Sequence, residues 1–278
     1  CVSNRRREIG GYLREHHGGG GYSAEIYSKK QRRMSTKYRE VLYANYHTNQ
    51  SGRASLTDAK SLFERERKQF EREILPKLSD VKNEARIFDL GCGSGSLLMA
   101  LKKAGYTNLL GMDLSDEQVK MAHEMGVSEV VLGDAMQFLR DASEGFDVIT
   151  GMDIIEHFTK DELVELLQLI KGKLNPGGVA IFRTPNMDAP VASAFALGDF
   201  THENYLNASS AEQVMLSCGF SEVTVLPSTM RVQGVFKEIV RRIAYDWMEL
   251  FWKLQLFATA RSTRKVLFTP NLIIVGRN

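Results

Sequence analysis

The chain has little cysteine. Cys1, Cys92 and Cys218 are odd in number, far apart and without metal-ligand spacing, so neither a disulfide framework nor a zinc site is expected. A reducing, cytoplasmic setting follows. No run of about 18 uncharged apolar residues occurs, which excludes a spanning helix, and the leading residues hold no apolar signal core. Excess charge is missing too: 36 Lys and Arg against 34 Asp and Glu leave +2, too little for the basic footprint of a nucleic-acid binder. No internal repeat is visible. With 43% hydrophobic and 25% charged residues in 278, the composition is that of a soluble globular protein with one α/β core and appendages.

Residues 1–22, with Arg5 to Arg7, His16, His17 and Gly18 to Gly21, show no apolar periodicity and read as mobile. A Tyr-rich stretch and the polar "YHTNQSGR" follow, so residues 1–57 are taken as a flexible N-terminal segment. Residues 58–75 predict a charged amphipathic helix, with Asp58 as cap and Pro76 as stop. Short apolar runs then alternate with helical ones. Strands are expected at 86–90, 108–113, 129–132, 146–150, 178–183, 221–226 and 271–275. Helices are expected near 95–104, 115–125, 135–141, 160–173 and 209–218. Such alternation predicts a parallel sheet covered by helices on both faces, since each crossover must bury its apolar stripe.

The first strand runs into Gly91-Cys92-Gly93-Ser94-Gly95. Glycines permit positive φ and close approach of a ligand to the backbone, and the following helix start offers unpaired N–H groups. Asp113 closes the second strand, where a carboxylate can accept from both hydroxyls of a ribose. Asp134, in "GDA", either meets an adenine amine or caps the next helix. The dinucleotide fingerprint needs a further glycine where Ser96 stands, and the Lys-Ser/Thr pair of a phosphate-binding loop is absent.

"DLGCGSG", Asp113, "GDA", "FDVITGMDIIEHF" and "LNPGG" occur in order, and with them residues 40–278 resemble the class I S-adenosylmethionine-dependent methyltransferases. "RTPNMDAP", "GDFTHENYLNASSAEQVMLSCGF" and "TPNLIIVGRN" extend the resemblance to bacterial methyltransferases of glycan and polysaccharide biosynthesis. It implies a Rossmann-like seven-stranded sheet whose last strand is antiparallel and lies between strands five and six. The implied cofactor is S-adenosylmethionine. Gly91, Gly93 and Gly95 would wall its methionine part, Asp89 would support the ammonium group, and Asp113 would hold the ribose. Met112 and Leu114 would flank the adenine, Asp134 and Ala135 would meet its amino edge, and Met152 and Asp153 would lie near the sulfonium. The leading segment would act as a lid, with Tyr46, His47 and Arg53 as contacts.

Methyl transfer to a hydroxyl needs alignment and a proton acceptor. His157, after the fourth strand, and His202, in the long connection 184–208, are the candidate bases, with Asp153 beside them. Glu156 and Glu203 could orient an imidazole or, with Asp153, bind a divalent ion. The spacing has no metal signature, and no metal is expected. Pro185-Asn186 either offers an amide to substrate or turns the chain. Enzymes that methylate base amines resemble one another in an Asp/Asn-Pro-Pro-aromatic stretch, and this chain has "MDIIEHF" there, which speaks against nucleic acid.

The expected function is O-methylation of a sugar or glycan precursor, the alternatives being another small acceptor such as a quinone or lipid-like molecule, or a silent cofactor-binding module. One insertion stands out at 227–269. Within it 235–261 has no Gly or Pro, and Phe236, Ile239, Val240, Ile243, Trp247, Leu250, Phe251 and Leu254 recur at helical spacing. That face either packs on the core or a homodimer partner, or lies on the inner face of a membrane, where a lipid-linked substrate would be met.

Overall fold

The computed structural model describes residues 37–43, 56–229, 231–232 and 234–278. The chain divides into two units, Cys1–Tyr46 and His47–Asn278. The described part of the first is one helix, α1 (Lys37–Tyr43). The mobile reading of residues 1–22 and the lid contacts Tyr46, His47 and Arg53 lie outside the described residues.

The second unit's first described helix is α2 (Leu56–Glu73). It starts before Asp58, which therefore sits in the first turn and meets the positive end of the helix dipole instead of capping it. The segment boundary expected at 57/58 falls inside this helix. Pro76 does more than stop it: it occupies the start of a 3-10 helix, Leu75–Leu78, where its missing N–H is not needed.

Seven strands form one sheet: β1 (Arg86–Leu90), β2 (Asn108–Asp113), β3 (Val130–Leu132), β4 (Phe146–Met152), β5 (Leu174–Pro185), β6 (Glu222–Ser228) and β7 (Asn271–Arg277). Their order is β3-β2-β1-β4-β5-β7-β6. The first five pair in parallel, and β7 is antiparallel to both β5 and β6, as the resemblance implied. The crossovers are α3 (Ser96–Lys103), α4 (Asp116–Glu124), α5 (Ala135–Asp141) and α6 (Lys160–Lys173). After β5 come α7 (Ala192–Ala196) and α8 (Ala208–Ser217), and α9 (Val235–Ala258) fills the insertion between β6 and β7.

Caps define these helices locally. The Ser115 hydroxyl accepts from the Gln118 N–H, and Thr159 and Glu162 form a reciprocal capping box at α6. β5 is longer than its apolar run predicts. Its pairing with β4 jumps from Phe146↔Leu174 to Val148↔Val179, so the Pro-Gly-Gly stretch is accommodated as an irregularity within the strand.

Burial on both faces explains the near-continuous apolar strands. Ile87, Phe88, Val148, Ile149, Ala180 and Ile181 are completely buried. Phe63, Phe70 and Ile74 of α2 and its extension join Leu97, Leu98 and Leu101 of α3 in the same core. The crossovers wind one way from β1 to β2 and β3 and the other way to β4. A crevice is therefore expected where the carboxyl ends of β1 and β4 stand side by side.

On the sheet, the Phe88 ring lies 5.2 Å from that of Phe138 and 5.3 Å from that of Phe146. Phe88→Ala should lower unfolding free energy by about 3–5 kcal/mol in urea titration; a loss below about 1 kcal/mol would mean that this cluster is not part of the core.

Candidate active site

The glycine turn joins β1 to α3 with positive φ at Gly91, Gly93 and Gly95, at 61°, 53° and 78°. The three are not equivalent. A Cβ at Gly91 would come within 2.8 Å of Ile154 Cγ1, and one at Gly95 within 2.9 Å of Val127 Cγ1, so these two are required by packing. At Gly93 the nearest atom would be Gln118 Oε1 at 3.8 Å, which leaves this position open for a ligand against the backbone.

Asp113 is tied to that turn. Its Oδ2 accepts from the Gly93 N–H at 2.8 Å and its Oδ1 from the Ser115 N–H at 2.8 Å. Each oxygen keeps a further lone pair for a ribose hydroxyl. Burial pushes the Asp113 carboxyl up from its ordinary value, opposed by the backbone N–H groups. Asp89 is 2% exposed and accepts from the Thr150 hydroxyl at 2.7 Å. Burial pushes its carboxyl up to about 7, against the pull of Thr150 and aided by the charge of Asp113. An ammonium group is the partner such a carboxylate lacks.

The adenine contacts divide. Leu114 is 68% exposed directly after Asp113 and offers an apolar face. Met112 is 1% exposed, and its sulfur would stand 2.9 Å from a Cβ at Gly133. Strand alternation turns it inward, so it packs the core beneath "GDA" instead of flanking a ligand. Asp134 caps α5, its Oδ1 accepting from the N–H groups of Met136 at 2.9 Å and Gln137 at 3.1 Å. Ala135 begins that helix, and Met152 ends β4 half-buried.

Asp153 follows with φ 53°, a conformation rare for a residue with a side chain and characteristic of functional turns. Arg183 takes its carboxylate, with Nε 2.9 Å from Oδ1 and 3.0 Å from Oδ2 and a further bond from Nη2. That pairing commits the Asp153 carboxylate to Arg183. It becomes an anchor of the turn. Arg183 is 7% exposed and lies 4.7 Å above the Phe70 ring, with Glu66 and Glu73 of α2 adding to the field that holds it charged.

The two rival histidines come together. Their rings are 4.8 Å apart in an edge-on arrangement. His157 belongs to a 3-10 turn, Ile155–His157, at the end of β4, while His202 arrives on the connection between β5 and α8. The N–H groups of Glu203 and Asn204 donate to the Glu156 carbonyl at 2.7 and 3.0 Å, which fastens that connection to the turn.

Hydrogen bonds assign which ring nitrogen donates. The Thr201 hydroxyl donates to Asp199 Oδ1 at 2.6 Å, so toward His157 Nδ1, 2.9 Å away, it accepts. His202 Nδ1 is 2.8 Å from the Ala196 carbonyl, which can only accept. Nδ1 of each ring is therefore a donor. Burial, then the neighbouring His202, pushes His157 down to about 4, so it is neutral at physiological pH.

Glu156 is 2% exposed and accepts from the Thr184 hydroxyl at 3.1 Å. Burial and the charge of Asp153 push its carboxyl well up, so it demands a proton or a cation. One ligand atom from each of Glu156, His157 and His202 lies within 4.8 Å of the others. A carboxylate with two imidazoles is a donor set for a divalent ion. Sequence spacing gave no sign of this grouping, because His202 comes from a distant connection. Neither Asp153 nor Glu203 belongs to this group.

Asn186 is structural. Its Nδ2 donates to the Leu267 and Thr269 carbonyls at 2.6 and 2.8 Å, and its Oδ1 accepts from the Asp188 N–H. Sequence reasoning missed Arg183, Thr201, Asp199 and Glu66, whose carboxylate accepts from the Ser96 hydroxyl at 3.2 Å beside the glycine turn. Arg183 left a signal, a lone charge inside an apolar strand. Glu66 left none among the many charges of its helix.

The methyltransferase domain family model matches residues 63–225. A ubiquinone biosynthesis O-methyltransferase of Agrobacterium fabrum is 31% identical over 135 residues, 47% of this chain and 52% of that protein. The mitochondrial ubiquinone biosynthesis O-methyltransferase of Homo sapiens is 26% identical over 160 residues, 51% of this chain and 42% of that protein. The chain thus spans about half the length of the curated relatives it matches. Among solved structures, an S-adenosylmethionine-dependent methyltransferase of Archaeoglobus fulgidus superposes with a TM-score of 0.58 at 20% identity, covering 79% of this chain and 99% of that one. Phosphoethanolamine N-methyltransferase 2 of Haemonchus contortus, with phosphomonomethylethanolamine and S-adenosylhomocysteine, superposes at 0.57 and 18% identity, covering 88% of this chain and 60% of that one. Neither of the two named sequence relatives is a glycan methyltransferase, which corrects the finer part of the resemblance.

Asp89 gives a test in which stability and binding move oppositely. A carboxyl raised from 3.8 to about 7 favours the fold fully below its unfolded value, and that contribution is lost as pH rises through about 7. Asp89→Asn should therefore raise the melting midpoint of the free protein by about 2–4 °C at alkaline pH, with less gain in acid, while weakening S-adenosylhomocysteine binding in calorimetry about tenfold. Unchanged affinity would separate Asp89 from the ammonium group.

Proposed function

Since the chain belongs to the methyltransferase domain family and its methyl donor is S-adenosylmethionine, we propose that it methylates a hydroxyl of a small acceptor with an apolar body, of the quinone-precursor or lipid-like class. The observation that carries the oxygen chemistry is the pair of imidazoles, His157 and His202, brought edge to edge after β4, with His157 held neutral by burial.

The bound cofactor supplies a methyl group on a sulfonium, already activated for in-line displacement. The glycine turn, Asp89 and Asp113 hold and orient it through the backbone at Gly93, the ammonium contact and the ribose contact. Leu114 covers the adenine. An acceptor hydroxyl must lose its proton as the new carbon–oxygen bond forms, and an imidazole Nε2 receives it. For His157 the proton relay ends in Thr201 and Asp199, which keep Nδ1–H in place and Nε2 unprotonated.

Two observations favour an apolar acceptor over a sugar. The named sequence relatives are ubiquinone biosynthesis O-methyltransferases. The connection that delivers His202 also exposes Val191, Leu197 and Phe200, at 73%, 63% and 81%. Bulky apolar side chains exposed on the connection that carries His202 offer an apolar acceptor a surface to meet.

A second reading of the same residues is favoured by their convergence: a divalent ion on Glu156, His157 and His202 would lower the pKa of the acceptor hydroxyl directly. Dialysis against a chelator separates the two, with activity retained for a histidine base and lost, then restored by added metal, for an ion.

The decisive assay follows S-adenosylhomocysteine formation with an alkylated dihydroxybenzene and, separately, with sugar nucleotides. His157→Ala and His202→Ala should each lower kcat by about a hundredfold or more, with S-adenosylhomocysteine affinity unchanged. Turnover confined to sugar nucleotides would overturn the acceptor class, and full activity in both variants would overturn the site.

A further inference from the structure

We propose that α9 is a membrane-docking helix that lies in the plane of an anionic phospholipid surface with its apolar face in the lipid. Its sequence pattern left that face either covered by protein or by lipid. In the structure no residue of the 24-residue helix is buried. Viewed down its axis, Phe236, Ile243, Trp247 and Leu254 share one line, with Ile239, Val240, Leu250, Phe251 and Phe257 on its shoulders. Every one of these side chains is exposed, from 47% at Leu250 to 79% at Phe257. The opposite line, Tyr245, Met248, Trp252 and Leu256, is the half-buried one. The helix is thus turned with its most apolar side to the solvent, the reverse of an ordinary surface helix.

Charge selects the occupant. Between 231 and 265 stand eight Lys and Arg against three Asp and Glu, an excess of five in a chain whose total is +2. The three acids are partly spoken for: Glu238 pairs with Arg241 and Arg242, and Glu249 with Lys253. Arg231 and Lys237 at one end of the helix, and Arg261 and Arg264 at the other, are exposed and have no carboxylate partner among the described residues. Unpaired bases at both ends of an apolar stripe match a layer of phosphate headgroups over hydrocarbon. A second copy of the helix would bring the same cations toward one another, which disfavours it. Both tryptophans of the chain are in this helix, and Trp247 is on the exposed stripe, a residue type suited to the lipid–water boundary. No described helix is long and apolar enough to cross a membrane, so the contact is in plane.

The proposal does not rest on the acceptor class, because binding is read without turnover. The test is flotation of the full chain with phosphatidylcholine/phosphatidylglycerol vesicles and with phosphatidylcholine alone, for the natural sequence and for a Trp247→Glu, Phe251→Glu double variant. Both side chains are exposed, so the variant should keep its circular-dichroism melting curve and its S-adenosylhomocysteine affinity. The natural chain should float with the anionic vesicles, and the bound fraction should fall about tenfold without phosphatidylglycerol, at high salt or in the variant. Failure to float with anionic vesicles would overturn the proposal. So would equal flotation on both lipids, or a sedimentation result in which the natural chain is a dimer that the variant dissociates.

Discussion

The contact between Ile154 and the backbone of Gly91 sets the geometry of the site. A Cβ at Gly91 would stand 2.8 Å from Ile154, so the glycine turn after β1 and the turn after β4 touch with no room for a side chain between them. Close packing transmits this spacing without slack. Gly93 after β1, Asp113 at the end of β2, and Glu156 and His157 after β4 are thereby held together at the ends of three neighbouring strands. His202 joins them only because the 186–207 connection is pinned through Glu203 and Asn204 to the Glu156 carbonyl.

Around that contact the protein holds charge where water is scarce. Asp89 and Glu156 are each 2% exposed and both are raised by burial, an arrangement that disfavours their ionised forms in the fold. Such groups cluster at sites that later meet a cation or a proton. Arg183 and Asp153 show the compensated counterpart: a buried guanidinium, paired, stacked on Phe70 and flanked by the acids of α2. Loss of Asp153 would leave the buried Arg183 charge without its partner, whereas the Asp153 side chain is itself 40% exposed, so the pair serves to fix the left-handed turn at Asp153 more than to add stability. α2 therefore braces the glycine turn and the Asp153 turn, through Glu66 at Ser96 and Phe70 beneath Arg183.

The helix α9 stands apart from this logic. The strands it connects, β6 and β7, are adjacent and antiparallel, so a short turn would suffice to join them. The insertion is consequently free of topological duty. Its apolar stripe has no place in the core and its bases have few internal partners, and both facts point to a surface outside the chain.

Periodicity and glycine punctuation in the sequence determined the strands, the crossover helices and the helix-covered parallel sheet, because each depends on local burial patterns that one segment carries by itself; the antiparallel last strand was only what the family resemblance implied, and the structure bears it out. The glycine turn and Asp113 were legible for the same reason: a strand, a turn of glycines and a carboxylate at the next strand end are short-range features. Only the tertiary structure decided what depends on a second segment. It brought His157 and His202 together, gave Asp153 to Arg183, turned Met112 inward and Asn186 to a structural role, and placed Glu156 with two imidazoles. It also decided which way α9 faces: a helical wheel shows that an apolar stripe exists, but the direction it points is a property of how the rest of the chain is packed.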